Sequence, residues 1–259
     1  MFTGFYHGAV LGFLGYDVCV GGCDVLEWAT TADIIGVAIV YIYVAGLLVF
    51  TEKVVAKRYP VLSRKVLHIM VGNVAFLLPL FQTRWIMAFV AAGPFIVFTF
   101  LMSPYSPIGE MRGKTSEAGH GMGLVYYAIS WTILAYFFFE SKEIIAIGIL
   151  AMSYGDGFAS LIGMRYGKKA FRVFDDVKSY VGSFAMFCFT FLMMNVALLF
   201  YSKFSFSHSV CPFCLESEVL IVSIAFVAAL AEAVTPKGLD NLSVPFLTAF
   251  LYFMTLAVV

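Results

Sequence analysis

Apolar residues in this chain come in long unbroken runs, without the alternation of a half-buried strand or the three-four spacing of a surface helix. Short polar segments separate the runs. Eight of them fit membrane spans: Ile34–Phe50, Val66–Phe81, Trp85–Met102, Gly121–Phe139, Ile144–Gly163, Val181–Tyr201, Val219–Val234 and Ser243–Val258. The second and the last two are short. At 1.5 Å per residue they reach roughly 24 Å, against a hydrocarbon core of ~30 Å, so flanking polar residues must continue those helices. The pattern predicts an all-α, polytopic membrane helix bundle of about eight transmembrane helices, with seven to nine as the range.

Composition agrees. The 259 residues are 62% hydrophobic and 12% charged, where a soluble domain carries roughly 25% charged residues. No polar stretch is long enough to bury a core of its own, so any chemistry belongs to the bundle and its loops. Residues 1–33 contain no Lys or Arg and therefore lack the basic start of a signal peptide. The expected organisation is an N-terminal extracytoplasmic segment, 1–33, and one transmembrane domain, 34–259.

The net charge of zero is less informative than the placement of the charges. Of the sixteen basic residues, all but Arg84, Lys142 and Lys203 fall in 51–65, 103–120, 164–180 or 235–242, which are alternate connecting segments. The positive-inside rule places these four in the cytoplasm and the N-terminus outside. On that map His68, Asn73, Glu117, His120, Asp156, Lys178, Glu232, Asp240 and Asn241 gather toward the cytoplasmic face. The chemistry is expected there, and no nucleic acid is expected among the partners.

Ser153 to Ser183 carries the densest signal. Asp156 lies between Gly155 and Gly157 in an otherwise apolar helix. A carboxylate at that depth costs at least about 2.5–3.5 kcal/mol on insertion scales and marks a functional site unless a neighbouring helix pairs it. Ser153, Asp156 and Ser160 share a face at i, i+3, i+7. Ala151, Gly155, Ala159 and Gly163 form a second, small-residue face suited to close helix contact. A basic loop with Arg165, Lys168, Lys169 and Arg172 follows. Then Lys178, Ser179, Gly182 and Ser183 open the next apolar run. A helix start with free N–H groups and a lysine suits a phosphate. Gly109–Thr115 and Gly163–Lys169 have three residues between their glycines where a Walker loop needs four, so neither is a P-loop.

These residues resemble a known family. Arg64–Gly72 (RKVLHIMVG), Gly155–Gly167 (GDGFASLIGMRYG), Lys178–Phe187 (KSYVGSFAMF) and Glu232–Pro245 (EAVTPKGLDNLSVP) resemble four elements of the phytol kinase and dolichol kinase group. These are membrane enzymes that phosphorylate lipid alcohols from CTP. Val177–Gly182 lacks one Lys and the Glu of the dolichol kinase stretch, so the chain looks closer to the phytol or prenol branch. The resemblance implies a lipid-alcohol kinase domain over 34–259, using CTP with Mg²⁺ on an isoprenoid alcohol that enters from the bilayer. It implies Asp156, His68 and Glu232 as catalytic residues, and Asp156 and Asp240 as metal ligands. Gly155, Gly157, Ala159, Ser160, Gly163, Gly167, Lys168, Lys178, Ser179, Gly182 and Ser183 would meet the nucleotide. Arg64, Lys65, Asn73, His120 and Asn241 would meet substrate or phosphate. Two alternatives use the same residues: a cytidylyltransferase forming a CDP-lipid, and a transporter working through Asp156 and Glu232.

Cys19, Cys23, Cys211 and Cys214 fall on the opposite, outer face. Two disulfides joining the N-terminal segment to the 202–218 loop suit an oxidising side, and a four-cysteine metal site is the alternative.

Overall fold

The computed structural model describes residues 29–107, 122–174, 176–204, 215–236 and 238–258. His120 and the four cysteines of the outer face lie outside these residues. Eight helical stretches appear among the described residues, one for each apolar run. They are α1 (Thr31–Phe50), α2 (Pro60–Val71), α3 (Ile86–Leu101), α4 (Gly123–Phe137), α5 (Lys142–Tyr166), α6 (Tyr180–Ser202), α7 (Leu215–Val234) and α8 (Asp240–Val258). By length and apolarity, four can cross a membrane: α1 with its continuation to Val55, α5, α6 and α7. The apolar α3 and α4 are shorter.

The second run gains length by tightening. Pro60 opens α2, where its missing N–H costs nothing. After 12 α-helical residues the chain continues as a 9-residue 3₁₀ stretch, Gly72–Leu80, with Pro79 inside it. At 1.5 and 2.0 Å per residue the two together reach roughly 36 Å.

The hub is α5. Its most apolar window is 78% buried, against 22% for α1. Ile144, Ile145, Ile147, Ile149, Leu150 and Met152 are almost fully enclosed. It packs against α6, α8 and the 3₁₀ stretch after α2, while α7 leans on α6 and α8. The small-residue face works as expected. A Cβ on Gly155 would stand 2.5 Å from Thr190 Oγ1 of α6, and Gly163 faces the backbone of Gly182. Across the helix, a Cβ on Gly157 would collide with Ile69 of α2. Asp156 is thus carried by a helix that two glycines let in between two others.

Two features depart from the expected all-α bundle. The basic loop after α5 folds into a hairpin of β1 (Ala170–Val173) and β2 (Asp176–Ser179), with Ala170 paired to Ser179 and Val173 to Asp176. The single non-glycine residue with positive φ among those described, Phe174 at 53°, begins its turn. Lys178 and Ser179 therefore end a strand, and Ser179 caps the start of α6. The second feature is a wide turn in α5, where Ala151–Asp156 bonds i→i+5. Such a turn shifts the faces of the helix before it relative to those after it. Ser153 faces Tyr127 and Gly72, and does not line the cavity that Asp156 and Ser160 reach.

Candidate active site

Four sequence-distant pieces meet in one polar cavity of about 330 Å³. α2 contributes Arg64, Lys65 and His68. α5 contributes Asp156 and Ser160. The hairpin and the start of α6 contribute Lys178, Ser179 and Ser183. The α7–α8 corner contributes Glu232, Asp240 and Asn241.

The carboxylates define its centre. Asp156, Glu232 and Asp240 are each 7% exposed, and one oxygen from each lies within 4.8 Å of the others. Two lysines partly balance them. Lys178 Nζ donates to Glu232 Oε1 at 2.7 Å and also to the Glu232 carbonyl. Lys65 Nζ stands 3.6 Å from Asp156 Oδ2, as does His68 Nε2. Asp240, the first residue of α8 and ahead of its apolar stretch, feels the crowding. Burial first, then the Asp156 carboxylate, pushes its carboxyl up to about 7. Its Oδ1 accepts from the N–H groups of Gly238 and Asn241 at 3.1 and 2.9 Å. That tight turn uses Gly238 at φ 91°, a conformation open to glycine.

The cavity wall is built from small residues. Ala159, Gly163, Gly167, Gly182 and Ser183 line it, so a ligand can approach the backbone. The N–H of Tyr180 donates to Lys169 O at 3.3 Å and that of Gly182 to Ser179 Oγ at 3.1 Å. Two donors at the start of α6 are therefore used internally, and Lys178 is the nearby cation. Two residues of the wall, Asn241 and Ser183, each keep one polar atom, Oδ1 and Oγ, buried without a partner. Buried polar groups are nearly always paired, and orphans beside a cavity suit a ligand toward which the side chains can turn.

His68 stands at the inner edge. Its ring packs on Tyr127 with centroids 4.8 Å apart, and Nε2 lies 3.4 Å from Met152 O. Tyr127 and Ser153 share a hydrogen bond of 3.0 Å, and Ser153 Oγ donates to Ile149 O at 2.6 Å. This chain of contacts holds the imidazole in place.

The chain is 33% identical to the phytol kinase of Synechocystis over 186 residues, which cover 71% of this chain and 74% of that protein. It is 32% identical to a probable chloroplastic phytol kinase of Triticum aestivum over 205 residues, 74% of this chain and 67% of the relative. The chain belongs to the phytol kinase family. No protein-family model matches it, and no solved structure does.

In this family member the structure brings together most of the residues singled out in the sequence. Arg64, Lys65, His68, Asp156, Ala159, Ser160, Gly163, Gly167, Lys178, Ser179, Gly182, Ser183, Glu232, Asp240 and Asn241 all line the cavity. Gly155 and Gly157 do not, because they serve helix contact. Lys168 is exposed on the connection to β1. Asn73 sits deeper, between Tyr43 and Tyr154: its amide donates to Tyr43 Oη at 3.1 Å and its Oδ1 accepts from Tyr154 at 2.5 Å. Sequence reasoning missed Met164, Ala170, Val177 and Gly238 on the cavity wall. The alternation of the hairpin was a faint signal for the first of its strands. It also missed Tyr127, whose role depends on a contact across 26 residues.

Proposed function

We propose that the protein is a lipid-alcohol kinase that transfers the γ-phosphate of CTP to the hydroxyl of an isoprenoid alcohol, at the cytoplasmic face of the membrane. One observation supports this above the rest. Three buried carboxylates, two lysines and a small-residue wall share one cavity in a chain related to phytol kinases. Phosphoryl transfer needs mainly positioning and charge neutralisation, and this set supplies both.

The carboxylate oxygens of Asp156, Glu232 and Asp240 are hard donors of the kind Mg²⁺ takes. Their crowding, one oxygen of each within 4.8 Å of the others, fits a cation among them. When bound there, Mg²⁺ would supply charge neutralisation for the phosphates. Lys178, anchored on Glu232, holds phosphate oxygens over the glycine and alanine wall. Arg64 and Lys65 add positive charge from α2. The alcohol presents its hydroxyl beside His68 and Asp156, whose Nε2 and Oδ2 are 3.6 Å apart. The proton is taken by this pair. The hydroxyl oxygen bonds to the γ-phosphorus as the bond to the bridging oxygen breaks, leaving a prenyl phosphate and CDP.

The test is phosphate transfer in liposomes with Mg²⁺, comparing γ-labelled CTP with γ-labelled ATP on phytol, geranylgeraniol, a polyprenol and diacylglycerol. Label in an isoprenoid alcohol from CTP is the expected result. Pyrophosphate release with label entering from α-labelled CTP would replace the kinase with a cytidylyltransferase. Flux that needs Asp156 but no nucleotide would replace it with a transporter.

A further inference from the structure

A second cavity lies among α1, α2, α3 and α4, and its wall is almost wholly apolar. His68 lines both cavities. The apolar one begins beside that imidazole, between Leu67, Met102 and Leu124. It ends at Leu78, Phe81, Met87 and Ala135, all at most 2% exposed. On α4 its lining runs from Leu124 to Ala135, roughly 16 Å of helix at 1.5 Å per residue. The open volume of this slot is about 90 Å³, so a chain enters it only as the lining side chains part, and a single extended tail demands the least of them.

We infer that this slot seats the isoprenoid tail, with its hydroxyl end at His68, and that its closed end measures tail length. The inference rests on the kinase reading above and deepens it. The tail comes from lipid, which is as apolar as the slot, so burial by itself offers little preference. Selection must come from shape. Packed interiors tolerate added volume poorly, and a tail longer than the slot meets the enclosed Phe81 and Met87. A filled deep end should therefore exclude long tails more than it weakens short ones.

Two measurements test this in the full-length protein. The first needs no catalysis. Geranylgeraniol carrying a diazirine at the end away from the hydroxyl is photolysed with the protein in nanodiscs, and labelled peptides are mapped. Label on 78–87 and 131–135, removed by excess phytol, is expected. Label on outward-facing Phe184 or Phe226, or label indifferent to phytol, would overturn the seat. The second compares transfer to phytol and to farnesol. Ala135→Phe, and separately Ala91→Leu from the facing helix, should lower the phytol-to-farnesol rate ratio about tenfold, or ~1.4 kcal/mol. An unchanged ratio in both folded variants would count against the length measure. Deep-end labelling in a protein that phosphorylates no alcohol would keep the seat and remove the kinase reading.

Discussion

Asp33 and Asp156 are both buried carboxylates in apolar helices, toward opposite ends of the α2 segment, and they are treated in opposite ways. Asp33 is saturated. It accepts from Thr30 N–H and Oγ1 at 3.0 and 2.8 Å, from Gln82 N–H at 2.8 Å, and from Thr83 N–H and Oγ1 at 3.1 and 2.8 Å. It closes a capping box at the start of α1 and ties that helix to the α2–α3 connection. Asp156 has one cation, Lys65, and the His68 imidazole, each at 3.6 Å, and two other carboxylates close by. A carboxylate whose lone pairs are filled by fixed donors holds a fold together. One left short of donors beside like charges has capacity for a ligand. The contrast separates structure from function more sharply than depth in the membrane does.

The comparison yields predictions of graded size. Asp156→Asn should cost the most activity: at least about 100-fold in phosphate transfer, or ~2.7 kcal/mol, with the thermal unfolding midpoint in detergent nearly unchanged. An equal loss of stability would erase the distinction from Asp33. Asp33→Ala should do the reverse. It strands several donors at a cost of about 1–3 kcal/mol, read as a lowered unfolding midpoint with activity per folded molecule retained. Asp240→Asn should raise the Mg²⁺ concentration for half-maximal transfer about tenfold, since one hard donor becomes neutral. A metal titration that overlays wild type would remove Asp240 from the ligand set. Lys168→Ala should be the mildest. Being exposed and outside the cavity wall, it should change the KM for CTP by no more than about twofold, as expected for a distant, screened charge.

Much of the site was legible in the chain because its parts carry chemistry that membranes punish. Asp156 between two glycines, Lys178 before Ser179, and Glu232 near Asp240 are conspicuous among apolar runs. The roles of Gly155 and Gly157 were harder to read. A glycine near a carboxylate suits a ligand or a neighbouring helix equally well, and here Thr190 and Ile69 occupy the space. Ser153 was placed with Asp156 by a spacing that assumes 3.6 residues per turn, and the i→i+5 turn at Ala151–Asp156 breaks that assumption.

The sequence by itself determined that the chain is a membrane helix bundle, which segments form its helices, and which polar residues belong together. Long apolar runs leave the backbone no partner but itself, so helices follow, and charged residues are rare enough in such runs to stand out. Only the tertiary structure decided which carboxylates face one another, that the basic loop is a hairpin carrying Lys178 to Glu232, and that an apolar slot meets the polar cavity at His68. Those facts depend on helix rotation and on contacts such as Lys178 with Glu232, 54 residues apart. Periodicity along a chain does not encode them, because every face of an apolar helix looks alike until a neighbour packs against it.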